Sequence, residues 1–171
     1  MADLKEREIK ELDVDWYCLI NGVPTHIASM GGMIPVGFRD TTLLRRQQDW
    51  VASIEPFAEV RLNESVIRQQ VEKGYEYLQD DMIRASIEDA NRNNPGFAFL
   101  KNQELPIRLF ASTFVEKARR GFRSFARREK NEGNEYVLIA EPIEHVAYKA
   151  GEYRLAELQC KQEEEGTIIS F

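Results

Sequence analysis

Two histidines are the side chains of this sequence best suited to acid–base or metal chemistry. His26 lies in residues 16–28 (WYCLINGVPTHIA) and His145 lies in residues 136–147 (YVLIAEPIEHVA). Aligned without a gap, the two stretches share a tyrosine, a leucine, an isoleucine, the histidine and an alanine. Such a match suggests a duplicated hairpin, which would place the two imidazoles at equivalent positions about a pseudo-twofold axis. Together with Glu141 or Glu144 they would then form a metal or acid–base site.

A simpler interpretation treats the two histidines as unrelated strand residues, with His26 hydrogen-bonded to Tyr17 across one hairpin. Neither histidine belongs to an HExxH or CxxC pattern, and the sequence contains no GxSxG, phosphate-loop or dinucleotide-binding motif. A small hydrolytic or metal-assisted enzyme that uses His26 and His145, with Tyr17 beside them, is therefore the alternative functional hypothesis. We expect no cofactor.

The strongest functional signal is a basic stretch at residues 113–130, which we predict to form one helix. Thr113 and Glu116 fit a capping box at its start. The stretch holds seven Lys or Arg against two Glu, a local charge of +5 in a protein with net charge −6. On a helical projection its apolar residues share one stripe: Phe114, Ala118, Phe122 and Phe125. The opposite side would carry the cationic ridge: Lys117, Arg119, Arg120, Arg123, Arg127 and Arg128.

This ridge supports the favoured hypothesis, a non-catalytic binding or assembly protein that contacts an acidic or phosphorylated partner. Arginine forks match the geometry of carboxylates and phosphates. The alternative is that the ridge pairs with acidic residues of this same protein, within a subunit or between subunits. Nucleic acid is disfavoured because the net charge is negative and no aromatic residue lies on the ridge to stack on bases.

Composition predicts a single domain that spans residues 1–171. Apolar residues make up 43% and charged residues 30% of the chain, as in ordinary folded proteins. No secretory signal is visible, and no apolar run approaches the roughly 20 residues of a membrane span. Cys18 and Cys160 lack metal-ligand spacing and are expected to be buried free thiols. We therefore expect a soluble cytoplasmic protein with no membrane partner.

The clearest local structure is a β-hairpin that turns at Asn21-Gly22, the dipeptide favoured in type I′ turns. A two-residue loop determines the pairing: Trp16 with Ile27, Tyr17 with His26, Cys18 with Thr25, Leu19 with Pro24 and Ile20 with Val23. The glycine-rich residues 29–39 follow, and we interpret them as a connecting loop, with a backbone nest for an anion as the alternative.

The remaining patterns predict helices and short strands in an α+β fold. Predicted helices, besides 113–130, are residues 3–12, 41–54 after the N-cap Asp40, and 63–92 with a possible break near residues 80–81. Predicted strands are residues 58–62, a second hairpin at 97–100 and 105–111, and 135–141, 145–149, 153–161 and 167–171. Together they predict an antiparallel sheet built from hairpins, with about three helices packed on one face. An exposed C-terminal strand edge would allow a homodimer.

Overall fold

The computed structural model describes residues 3–72, 80–128, 134–145 and 155–171. Within these ranges the chain forms six α-helices, two short 3₁₀ segments and one sheet of seven strands. The helices are α1 (Glu6–Glu11), α2 (Thr41–Ser53), α3 (Glu64–Val71), α4 (Asp81–Asn91), α5 (Pro95–Phe99) and α6 (Leu105–Arg119). The strands are β1 (Asp15–Ile20), β2 (Val23–Ala28), β3 (Val60–Leu62), β4 (Arg123–Arg127), β5 (Glu135–Pro142), β6 (Lys161–Glu163) and β7 (Ile168–Ser170). None of the helices in these ranges combines the length and apolar character needed to cross a bilayer.

The first hairpin is confirmed in every predicted pair, from Trp16 opposite Ile27 to Ile20 opposite Val23. Asn21 and Gly22 both have positive φ, 49° and 75°, as a type I′ turn requires. Both faces of the hairpin are buried, because five of the six residues in each strand are inaccessible to solvent. One face points into the sheet's own concave side and the other points toward the helices.

The sheet is mixed, so the predicted all-antiparallel arrangement is wrong, although the α+β class is confirmed. Strand order is β1-β2-β4-β5-β7-β6, with β3 also paired to β5. β2 and β4 run parallel, with His26 beside Ser124, whereas the other strand ladders are antiparallel. Parallel neighbours need a long crossover connection. Here the crossover contains helices α2 to α6, so adjacent strands are far apart in sequence.

The sheet curls until its two ends approach each other. Leu19 donates its N–H to the carbonyl of Ala156 and accepts from the N–H of Leu158, both at 2.8 Å, so residues 156–158 extend the sheet beyond β1. Only three residues later, at Lys161, β6 begins at the other end of the strand order. Because three residues span at most about 11 Å, the two ends must lie close together.

The curl encloses one apolar core, to which Ile9 of α1 and Leu44 of α2 also contribute, and α3 and α6 pack on the outer face. The enclosed side chains include Trp16, Cys18, Ile20, Ile27, Phe125, Tyr136, Leu138, Leu158 and Ile169. On the outside, α6 and α3 pack on β4 and β5 through Ile67, Ala111, Phe114, Val115, Ala118, Ala126, Val137 and Ile139. Val51 of α2 packs beside Tyr17 and Leu19 of β1. β7 lies between β5 and β6, and β6 is the end strand of this order. The homodimer through an exposed C-terminal strand edge stays a prediction.

The second predicted hairpin is wrong, because its two segments are helices. Asn94 caps α5 by accepting hydrogen bonds from the N–H groups of Gly96 and Phe97. Pro106 lies in the first turn of α6, where no backbone donor is needed. A short apolar run fits both the period of a helix and that of a strand. The alternation of apolar residues at 105–111 therefore did not distinguish the two.

The predicted basic helix at residues 113–130 is also wrong, because α6 ends at Arg119 and β4 follows. Gly121 has a φ of 96°. Its N–H donates to the carbonyl of Ala118 at 3.0 Å, and the N–H of Phe122 donates to Lys117 at 3.2 Å. These two bonds form a Schellman motif, which terminates the helix and turns the chain. Thr113 lies inside α6 rather than at its start.

The duplicated hairpin is contradicted as well. The positions that correspond to Asn21-Gly22 are Ala140 and Glu141, which lie inside the continuous strand β5. The predicted helix 63–92 is confirmed as α3 and α4, with a new N-cap at Asp80, while residues 73–79 between them fall outside the described ranges. Most of the predicted strand 145–149 also falls outside those ranges.

Candidate functional site

The structure disperses the six predicted cationic residues over α6, β4 and the residues that directly follow them. Three of them form ion pairs with glutamates of this chain: Arg120 with Glu116 at 3.2 Å, Arg123 with Glu141 at 3.1 Å, and Arg128 with Glu135. Arg120 and Arg123 also donate to backbone carbonyls, of Ile54 and Gly166 respectively. These three arginines therefore pair with glutamates of the same protein, as the alternative interpretation of the ridge expected.

The two remaining cations of α6 lie apart from the arginines of β4. The guanidinium of Arg119 lies 4.8 Å from the ring centroid of Phe99. Lys117 lies close enough to Asp15 for its charge to act on that carboxylate. Because the helix ends after Arg119, the six cationic residues do not lie on one helix face. The predicted single-helix ridge is therefore wrong.

His26 lies in a buried polar chain that crosses three neighbouring strands. Its Nε2 is 2.8 Å from Oδ1 of Asp15 in β1, and its Nδ1 is 2.5 Å from Oγ of Ser124 in β4. The imidazole is inaccessible to solvent, with the ring of Phe114 in α6 6.1 Å away. Both ring nitrogens are thus satisfied. We call this set the Asp15–His26–Ser124 chain.

Opposing effects act on the pKa values of this chain. Burial acts to raise the pKa of Asp15, but the hydrogen bond and the charge of His26, helped by Lys117, outweigh it and lower that pKa. Burial raises the pKa of Tyr17, whose hydroxyl has no hydrogen-bond partner among the described residues. The predicted hydrogen bond between Tyr17 and His26 is therefore wrong, and their rings pack at 5.3 Å instead.

The order serine, histidine, aspartate matches that of nucleophile, base and orienting carboxylate in hydrolases. In such chemistry the serine must be accessible to the substrate, and in this protein the opposite end of the chain meets solvent. Ser124 is completely buried, whereas the solvent end of the chain is Asp15, whose side chain is 34% exposed. Among the described residues the candidate nucleophile is therefore the buried member of the chain, and the carboxylate is the member that meets solvent. The arrangement instead provides hydrogen-bond partners for polar side chains that are buried between the sheet and α6.

His145 lies in a different environment from His26. It is exposed, follows the end of β5, and lines a surface depression of about 390 Å³ together with Phe57, Glu59 and Glu144. The ring nitrogens of His26 contact Asp15 and Ser124. Within the described ranges, no group of three His, Cys, Asp or Glu residues has the arrangement of a metal site. The structure therefore gives no support to a site that the two histidines share.

A second concave site, which we call the Arg127 groove, gathers cations from three separate parts of the chain. Its volume is about 280 Å³. The groove is lined by Glu6, Ile9, Lys10, Gly31, Gly32, Met33, Arg39, Arg127 and Asn134. Three cationic side chains thus face one carboxylate, on a protein whose net charge is −6. This is the described site whose chemistry best matches an anionic ligand.

The loop at residues 29–33 forms one wall of the groove. The N–H groups of Met30, Gly31 and Gly32 donate to Asp13, Leu12 and Ser29. Because these amides are used within the protein, the backbone nest considered from the sequence is not formed, and the segment is a connecting loop. Any anion in the groove would meet side chains instead.

Gly32 allows this loop to lie directly on Arg127. A Cβ at Gly32 would be 2.3 Å from the hydroxyl of Tyr136 and 3.0 Å from Cδ of Arg127. The Tyr136 hydroxyl donates to the carbonyl of Met33 at 3.2 Å, and burial raises the pKa of this tyrosine to about 12. The arginine stem is thereby held between β5 and the loop. Its Nη1 donates to the carbonyl of Met30 at 3.5 Å, and the residue lines the groove.

Sequence reasoning identified Arg127 but missed its neighbours in space. Lys10 and Arg39 lie in the first helix and in the glycine-rich loop, more than 85 residues before Arg127. The only sequence signal was the pair Gly31-Gly32, which marks a close approach of the backbone to another part of the chain.

Comparison of the chain with models of protein families, with curated proteins and with solved structures finds no match.

Proposed function

We propose that this protein is a non-catalytic binding protein that receives an anionic group of a partner, a carboxylate or a phosphate, in the Arg127 groove. One observation carries the proposal: three cationic side chains converge on a concave site of a protein that is otherwise rich in acid. Arginine offers paired N–H donors to either anion, and lysine offers a compact charge.

The charge pattern favours recognition at this one place. Among the described residues, Lys10 and Arg39 form no ion pair with a carboxylate within 4.0 Å. A partner's anion would therefore meet these two cations without competing with an ion pair among the described residues. Elsewhere the negative surface repels acidic partners, so it directs them to the groove.

The lining residues favour binding over catalysis. They include no serine, cysteine or histidine among the described residues, and Glu6 is their only carboxylate. The one array with catalytic residue types, the Asp15–His26–Ser124 chain, has its serine buried under α6. As part of the proposal we place the protein in the cytoplasm, since Cys18 and Cys160 are free thiols, as expected in a reducing compartment.

The test compares two charge reversals in the groove with two on α4. The groove variant is Lys10→Glu/Arg39→Glu, and the matched control is Arg84→Glu/Arg92→Glu, which changes the net charge equally. The probes are a fluorescent octaglutamate peptide and a phosphoserine peptide of equal length, measured by anisotropy over a salt series. We expect the groove variant to weaken at least one probe by about tenfold or more, since close like charges repel strongly.

The control variant should bind within about twofold of the native protein because Arg84 and Arg92 do not line the groove. Thermal melting followed by circular dichroism checks that both variants are folded. Equal losses in the two variants would mean that only net charge matters, which contradicts a site. Absence of binding of both probes to the native protein at low salt would also refute the proposal.

A further inference from the structure

Exposed apolar side chains border the Arg127 groove. Leu12, Met30 and Met33 are 47%, 41% and 46% exposed. Met33 lines the groove itself. The carbonyl of Met30 lies 3.5 Å from Nη1 of Arg127, and the carbonyl of Leu12 accepts from the N–H of Gly31. Met33 and the cationic residues thus line the same groove, and the backbones of Met30 and Leu12 adjoin two of its lining residues.

Neighbouring apolar residues of this loop differ in burial. Ile34, the neighbour of Met33, is completely buried, so the loop does send one apolar side chain inward and leaves another at the rim. Single exposed apolar residues are common on protein surfaces, whereas these three are grouped around one concave site. Methionine and arginine are enriched at protein–protein interfaces, and methionine adapts its shape to different partners.

We infer that the Arg127 groove binds an acidic segment of another protein that carries an apolar side chain next to its carboxylates. This inference rests on the proposed function, and it names the class of partner. The carboxylates of the segment face Lys10 and Arg39 in the groove that Arg127 also lines. The apolar side chain covers Met30 and Met33 and removes their exposed surface from water, which supplies affinity that charge alone does not.

Charge complementarity and surface chemistry favour this partner over nucleic acid and over a free phosphate. The described lining residues include no aromatic ring on which a base would stack. Inorganic phosphate has no apolar surface to cover the methionines.

The test selects binders without assuming their sequence. A displayed library of random 12-residue peptides is enriched on the immobilised full-length protein, and enriched peptides are synthesised and measured by anisotropy. We expect them to combine Asp or Glu with Leu, Ile, Phe or Met. The variant Met30→Gln/Met33→Gln should weaken them by about tenfold, in keeping with the loss of an apolar contact, while Met82→Gln on α4 should leave affinity unchanged.

Methyl-labelled methionine provides a direct readout of contact. Addition of an enriched peptide should shift the methyl resonances of Met30 and Met33 and leave that of Met82 unchanged. A thymidine 12-mer and inorganic phosphate serve as competing probes. Displacement of the peptide by either one at equal concentration, with the same methyl shifts, would overturn the inference.

The outcomes separate this inference from the proposed function. Enriched peptides that are acidic but polar, and that ignore Met30→Gln/Met33→Gln, would overturn the inference while supporting an anion site. Peptides that bind Lys10→Glu/Arg39→Glu as well as the native protein would overturn both. Failure to enrich any peptide would also overturn the inference.

Discussion

His26 shows how a residue that resembles a catalytic group serves the fold. Its imidazole is completely buried, and a carboxylate and a hydroxyl each take one ring nitrogen. Buried polar groups that lack partners are costly, so each member of the Asp15–His26–Ser124 chain depends on the others. Asp15 lies at the solvent end of the chain and is partly exposed. A substitution at Asp15 therefore disturbs the packing less than one at His26 or Ser124.

Replacement of Asp15 by asparagine tests this dependence. The folded pKa of Asp15 lies below its ordinary value of 3.8, so the ionised form stabilises the fold above that pH. That contribution is lost as the pH falls through the lowered pKa. We expect Asp15→Asn to reduce the free energy of unfolding by about 1 kcal/mol at pH 7, because the hydrogen bond acceptor stays while its charge is removed.

Urea denaturation at pH 7 and at several pH values below 3.8 measures the difference between Asp15→Asn and the native protein. The difference should shrink steadily as the pH falls over this range. Asp49→Asn, an exposed change on α2, should show no such dependence. A difference that keeps its size at the lowest pH would contradict a role for the charge.

At the scale of elements, one glycine decides what the basic segment becomes. Gly121 ends α6, and the residues after it form β4, in which alternate side chains point to opposite faces. Arg123 and Arg127 therefore share the face of Phe125, at opposite ends of the strand, instead of lying opposite the phenylalanines. The helical projection grouped the cations wrongly because its period did not apply beyond Arg119.

Gly121→Ala tests whether this turn is required. Its φ of 96° is a conformation that residues with a Cβ rarely adopt. We expect the substitution to destabilise the protein by about 1 to 3 kcal/mol, since such strain must be held by the surrounding structure. Thermal and urea unfolding give the value. Gly37→Ala, where a Cβ would meet nothing within 4 Å, should be nearly neutral. Equal effects of the two substitutions would refute the requirement.

At the scale of the whole molecule, the curled sheet joins the first hairpin to the last strand. The ring of Phe171 stacks on that of Tyr136 at 5.2 Å and meets Trp16 edge-on at 5.7 Å. Residues distant in the sequence therefore share one core, and we expect them to unfold together as a single cooperative unit.

Phe171→Ala should weaken this closure. We expect a loss of about 2 to 4 kcal/mol, since the substitution removes two ring contacts and leaves a cavity beside Trp16. Unfolding followed by tryptophan fluorescence and by far-ultraviolet circular dichroism should give coincident transitions at a lower denaturant concentration. Phe57→Ala, at a position that is 56% exposed, is the control and should change stability little. Two separate transitions would contradict one cooperative core.

Short-range chemistry in the sequence determined the local structure of this protein. Asn21-Gly22 dictated a type I′ turn and therefore every pair of the first hairpin, and Asp40 began α2, because these effects act within a few residues. The strand order, the parallel pairing of β2 with β4 and the burial of Ser124 depended on distant segments and were decided only by tertiary packing. The Arg127 groove likewise depends on distant segments and was decided by tertiary packing. Its cations come together because the curled sheet places the glycine loop and α1 beside β4, and no local pattern encodes that proximity.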